Sequence, residues 1–355
     1  MRGCSARAWS RERLGRSEPT PPAFPTAPPG YPAAVAAATG RWKNFLSGLV
    51  SIPPGQVTAG LLLFPHGSGK VCSSRGKVVA VMLSVFGDEN SDEARERVFA
   101  VAGVIGSEAL WSPLEARWIA RCGGVPFHAK DCDSDKGDFA KFTPKENKDR
   151  YRDLTVLLAE SGLGGFGIAL DVIGQEAVFP EAPGGMAFYK CFIEVIQKMK
   201  NCAAYNRETV KFTFDMRPES EHNTGILYAM AKRSKQWNPY LDSEIGFACS
   251  RDHPRIQIAD LFARETMKEL DNRIGPKARP PRKSWLCLED TERFHIDVFG
   301  KEWFEDLKVQ MPELERVTGM SMTDYALWLR VTKRMVDNVS NRFDYIRYVI
   351  DRDGE

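Results

Sequence analysis

Three separate apolar runs of this chain end in an aspartate. Val78–Asp88 reads VVAVMLSVFGD, with Glu89 directly after it; Val210–Asp215 reads VKFTFD; Arg255–Asp260 reads RIQIAD and opens the helical-looking LFARETMKEL. Carboxylates this far apart in sequence act together only if the fold gathers them. Gathered, three or four acidic groups make a hard-cation site of the kind used for phosphodiester chemistry.

The runs between these acids set the fold class. Val79–Phe86 predicts a buried strand, Asn90–Arg97 a polar turn, and Val98–Ile105 a second strand, so the two pair as a hairpin. Ser112-Pro113 predicts a helix start, with the helix running to Arg121. Thr143-Pro144 predicts another, running to Glu160 with Tyr151, Leu154, Leu157 and Leu158 at helical spacing and Gly164-Gly165 as its terminator. Strands follow at Phe166–Ile173, Val210–Phe214 and Ile245–Cys249, separated by helices at Met186–Met199 and Asn223–Lys232. A last helix covers Ile256–Leu270. Strand, strand, then alternating helix and strand is the order of an α/β sheet covered by helices. We expect that domain over residues 78–270. Beyond it, 271–355 reads as a basic, Pro-rich linker and a helical extension that closes with a long helix over 322–350. There is no internal repeat.

Residues 1–77 form a leader of different composition. The first 80 residues hold ten of the 49 Lys and Arg but only Glu12 and Glu18 of the 47 acids, and ten of the 22 prolines. Such a stretch cannot bury enough apolar surface to offset its ordering entropy, so we expect disorder or a true start at Met82. A transit peptide and a basic nucleic-acid tail are the alternatives. Without it, residues 81–355 carry 39 basic against 45 acidic residues, a net charge of −6. That excludes a broadly basic, nucleic-acid-coating surface, so a polyanionic substrate needs a local basic strip or metal ions. No run reaches the ~18 apolar residues of a membrane span. The eight cysteines contain no CxxC pair and read as reduced thiols of a cytoplasmic protein.

Each candidate residue has a plainer alternative. Asp88, Glu89 and Asp215 sit where strands are expected to end, a common place for turn residues. Asp260 lies among Ile256, Ile258, Ala259, Leu261 and Phe262, where a carboxylate must cap, pair or bind metal. Gln257 beside it can hydrogen-bond a neighbouring acid or a substrate. His128 and Lys130, in FHAKD, can orient water and meet phosphate charge, or His128 can be a structural residue. In the irregular, polar FHAKDCDSDKGD, Asp131, Asp133, Asp135 and Asp138 imitate a calcium loop, but Lys136 and Phe142 stand where Gly and Glu are required. Arg273–Trp285 offers Arg279 and Arg282 to a polynucleotide and Trp285 to stack on a base, or is a solvated linker. His66–Val71 lacks the residues of a phosphate loop, Cys249 and His253 have no second pair for zinc, and no GxSxG is present.

The succession strand-Asp-Glu, apolar hairpin strand, Phe127-His128-Ala129-Lys130, strand-Asp, then Gln257-Ile258-Ala259-Asp260-Leu261 resembles the family called domain of unknown function 3800. The resemblance covers roughly residues 80–270 and departs after Glu89, where Asn90-Ser91 replace the family's Ser-Gly. It implies a ribonuclease H-like mixed sheet flanked by helices, with Asp88, Asp215 and Asp260 as metal ligands, Glu89 a possible fourth, and two Mg²⁺ or Mn²⁺ ions bridging a phosphodiester. It also implies a nuclease acting on nucleic acid. A non-catalytic binding or regulatory protein of the same fold, in a defence or mobile-element setting, and a hydrolase of a small phosphoryl substrate are the alternatives.

Overall fold

A computed structural model describes residues 82–92, 97–180, 186–216, 224, 225, 227–229, 231, 232 and 237–318. The expected leader over 1–77 and the closing helix over 322–350 lie outside these residues.

The strands are β1 (Leu83–Ser91), β2 (Val98–Gly106), β3 (Gly164–Asp171), β4 (Val210–Asp215), β5 (Leu241–Ala248) and β6 (Phe294–Phe299). They form one sheet in the order β5-β4-β1-β2-β3-β6. β1 with β2 and β2 with β3 are antiparallel; β1 with β4, β4 with β5, and β3 with β6 are parallel. The helices are α1 (Glu108–Cys122), α2 (Ala129–Ser134), α3 (Pro144–Glu160), α4 (Val172–Val178), α5 (Met186–Asn206), α6 (Pro254–Ile274), α7 (Lys283–Glu289) and α8 (Lys301–Thr318). Of the helix expected over Asn223–Lys232, the described residues are helical.

Strand alternation builds two cores. Val85, Val101, Ile168 and Phe212 pack on one face against the apolar stripe Phe192, Val195, Ile196 and Met199 of α5. Phe86, Ala102 and Val104 pack on the other, with Trp111, Trp118, Leu154 and the α6 residues Ile258, Leu261 and Phe262. β3 meets α6 through glycine. A methyl at Gly165 would collide with Phe294 and Phe262, and one at Gly167 with Thr266. Hydrogen at these two positions is what lets the helix lie this close.

Several boundaries differ from expectation. β1 does not stop before Asp88 but continues through it to Ser91, so Asn90 and Ser91 are strand rather than turn. α1 begins after Ser107, not at Ser112-Pro113, and carries Pro113 inside it. The lost backbone donor is outweighed by burying Trp111, whose Nε1 donates to Ser84 O at 3.2 Å and fixes the first turn to β1. Gly164 and Gly165 belong to β3; α3 ends at Glu160 with Ser161 as its C-cap and Gly162, at φ 80°, as the glycine that terminates it. FHAKDCDSDKGD is not irregular; it holds α2 and a 3₁₀ turn at Gly137–Phe139. Residue 270 falls inside α6, and β6 joins the sheet beyond it, so the sheet draws on chain from the region read as linker and extension.

No helix among the described residues is long and apolar enough to cross a membrane. The described cysteines form no disulfide. Burial pushes the thiols of Cys122 and Cys132 up to about 11 and about 12, which keeps them protonated.

Candidate functional site

Asp88 and Asp215 stand on adjacent parallel strands. The last registered pair of β1 and β4 is Gly87 with Phe214, and each aspartate is the next residue on its strand. Strands pair at about 4.8 Å, so the two carboxylates leave neighbouring backbones at one level. Alternation also gives them a common face. Asp88 lies opposite Ala102, part of the α6-side core, whereas Phe212 and Phe214 point to the α5 side and leave Asp215 on the α6 side. This is the carboxyl-end edge of a parallel strand pair, where open α/β sheets bind ligands. Asp88 is buried, at 2% exposure, and its Oδ1 accepts from Glu89 N at 2.7 Å.

Glu89 is directed differently. Its register partner Val101 belongs to the α5-side core, so the strand turns Glu89 away from the face that Asp88 and Asp215 share. At the strand ends the two faces meet. A recess of about 10 Å³, the size of one water site, is lined there by Asp88, Glu89 and Asp215 together with Val101, Phe188, Phe192, Phe214 and Thr224.

Asp260 comes from α6, on the same side of the sheet as Asp88 and Asp215 but outside that recess. It lies six residues into its helix, so it does not cap it. Instead its Oδ2 accepts from Ala129 N at 2.8 Å, the first amide of α2. A carboxylate there satisfies an orphan donor and meets the positive end of the helix.

Gln257 joins these parts. Its Oε1 accepts from Phe127 N at 3.0 Å and Trp118 Nε1 at 3.3 Å, and its Nε2 donates to Ser250 O at 2.7 Å. Ser250 N in turn donates to Asp215 Oδ1 at 3.0 Å. One buried amide thus ties the loop that holds Asp215 to the loop that holds Asp260. Gln257 is therefore held as a positioning residue: both acceptances of its Oε1 and one of the two Nε2 donations go to protein groups.

The other expected residues are distributed as follows. His128 is exposed, with Nδ1 3.0 Å from Asp131 Oδ2, and Lys130 is half-buried on α2. Arg282 does not form a free basic strip: it grips both oxygens of Asp133 at 2.7 and 3.0 Å. Arg279 donates to Asp271 Oδ2 at 2.9 Å. Trp285 is buried, at 4% exposure, and stacks on Phe262, so no base can reach it. The segment read as a solvated linker is strapped to α6, with Arg279 N donating to Asn272 O at 2.9 Å.

Sequence reasoning missed a buried network between α2, α3, α6 and α7. Glu265, fully buried, accepts from Tyr151 Oη at 2.5 Å and Ser284 Oγ at 2.8 Å, with Arg282 Nε 3.5 Å away. Burial raises its carboxyl above the usual range, opposed by Arg282. The available signal was the polar content of LFARETMKEL, which continues a helix whose start packs Ile256, Ile258 and Ala259 into the core.

Among the described residues, no three His, Cys, Asp or Glu side chains form a metal-holding group. The two aspartates at the strand edge still suit a hard cation, since Mg²⁺ is commonly held by one or two carboxylates with water and substrate phosphate completing its shell. No family model matches the sequence, and no curated protein and no solved structure is significantly similar to it.

Proposed function

We propose that this chain is a metal-dependent phosphodiester hydrolase acting on nucleic acid, built on a ribonuclease H-like sheet. The strand order supports that fold: antiparallel β3-β2-β1 continues into parallel β4 and β5, and the helix after β5 returns across β1 and β2. The observation that carries the functional reading is the placement of Asp88 and Asp215 side by side at a parallel-strand edge, on the face that α6 covers with Asp260. Asp88 and Asp215 would hold one Mg²⁺ or Mn²⁺. A second ion would draw on Asp260, whose Oδ2 already serves Ala129 N. The metal would lower the pKa of an attacking water and offset phosphate charge. The chain's own part is positional. Gln257 and Ser250 fix Asp215, the Ala129 amide fixes Asp260, and Lys130, next to Ala129 on α2, is the cation that would meet a phosphate oxygen.

A second reading has its own observation. Asp88, Asp215 and Asp260 each accept a backbone amide, which makes them loop organisers in a non-catalytic binding protein of the same architecture. Thermal unfolding with and without Mn²⁺ separates the two. A ligand that binds only the folded state at 100 times its Kd adds about 2.7 kcal/mol. On the hydrolase reading Mn²⁺ raises the Tm of wild type, Asp88→Asn and Asp215→Asn each remove the rise, and a labelled oligonucleotide is cut only by wild type with metal. A wild-type Tm indifferent to Mn²⁺ rejects the hydrolase and leaves the binding protein.

A further inference from the structure

A second recess lies away from Asp88, Asp215 and Asp260. It measures about 420 Å³ and is lined by Asp133, Lys268, Asn272, Arg279, Pro280 and Arg282. Two carboxylates organise its cations. Asp271 receives Arg97, Lys268 Nζ at 3.1 Å and Arg279 Nη2 at 2.9 Å. Asp133 receives Arg282 and Arg264, the latter at 3.0 Å. Three of these cations, Lys268, Arg279 and Arg282, line the recess against one lining carboxylate, Asp133; behind the wall Arg97 and Arg264 face Asp271 and Asp133, and Glu265 stands behind Arg282. Donors are in excess too: Lys268 has three and Arg279 five, and each gives one to Asp271. The wall is built before any ligand arrives, because Asn272 Nδ2 donates to Pro280 O at 3.4 Å and holds the 279–282 turn against α6.

We propose that this recess binds a phosphate group. On the hydrolase reading, on which the source of the ligand rests, it is a backbone phosphate of the nucleic acid. That phosphate is remote from the bond cleaved, because Lys268 lies eight residues along α6 from Asp260, about 12 Å at 1.5 Å per residue. Bound there, it sets the register of the strand relative to the acids, as phosphate contacts do generally.

The test uses the full chain and the double variant Lys268→Gln/Arg279→Gln, which leaves Arg97 on Asp271. Binding of a fluorescent oligonucleotide is measured by anisotropy across a salt series, without divalent metal. In parallel, Tm is read with pyrophosphate against chloride of equal ionic strength. Arg273→Gln is the control, because Arg273 pairs with Glu269 on the same helix but does not line the recess. We expect at least about tenfold weaker oligonucleotide binding in the double variant, a salt slope reduced by about two, and little change in Arg273→Gln. Because binding is read without divalent metal, failure of the metal site stays distinct from failure of the recess. Stabilisation by pyrophosphate alone, lost in the double variant, supports the recess with a small phosphate as its ligand. Equal responses of wild type and double variant to both probes, or no response to either, overturn the proposal.

Discussion

Gln257 concentrates more of the site in one side chain than any aspartate does. Replacing it by Ala would strand the buried Trp118 and Phe127 donors, each costing about 1–3 kcal/mol when unpaired, and release the half-buried Ser250 carbonyl. We expect Gln257→Ala to lower stability by on the order of 3 kcal/mol, read as a fall in urea midpoint at constant m-value. A change under about 1 kcal/mol would remove it from the positioning role. Sequence could identify Gln257 as unusual, since a polar residue among Ile256, Ile258 and Ala259 needs a partner. It could not identify the partners, which come from residues 118, 127 and 250, brought together only by tertiary structure. The same limit applied to Asp260. Its apolar setting demanded an explanation, and that explanation, an amide of another helix, lay 131 residues away.

At the scale of elements, α2 is held by its neighbours rather than by its own sequence. It has six residues and no side-chain cap; Asp260 serves its first amide, and Asp133 pairs with α6 through Arg264 and with the α7 start through Arg282. Burial alone would raise the Asp133 carboxyl, but the two guanidinium groups outweigh it and hold it below 3.8. A depressed carboxyl contributes stability above its unfolded pKa and loses it as pH falls through the folded one. Asp133→Asn should therefore cost on the order of 2 kcal/mol at pH 7, and its deficit against wild type should narrow below pH 3.8, as followed by denaturant unfolding across pH. A deficit independent of pH would refute the pairing. α3 is the contrasting case. Its start at Thr143-Pro144 was read from the sequence, and the structure adds a local capping box of Thr143 with Glu146. Thr143→Ala should cost about 1 kcal/mol, seen as a lower Tm. β6 went unread although Phe294, Ile296 and Val298 alternate with His295 and Asp297, because it lies beyond residue 270, in the stretch read as linker and helical extension.

Across the whole molecule, stability should grade outward from the sheet centre. β2 is hydrogen-bonded on both sides, and eight of its nine residues are buried. β5 and β6 are the edges, with intermediate or exposed residues along most of their length. Native-state hydrogen exchange should place β2 amides at the global unfolding free energy and those of β5 and β6 well below it. Equal protection across the sheet would contradict this. The α/β class and the succession of the first five strands along the chain were readable from their apolar runs, although β5 was read only from Ile245 because its first half, LDSE, is mostly polar. The depth of α6 was not. Arg264, Glu265, Thr266, Glu269, Asp271 and Asn272 are all buried in it, and a polar segment reads as surface until its partners are known.

β3 contributes none of Asp88, Asp215 and Asp260, yet α6, and Asp260 with it, rests on Gly165 and Gly167. In a saturation screen scored for function, these two positions should tolerate no substitution, while many surface residues nearer the acids accept several. Inheritance of the site would then be written partly in two residues that have no side chain to contribute.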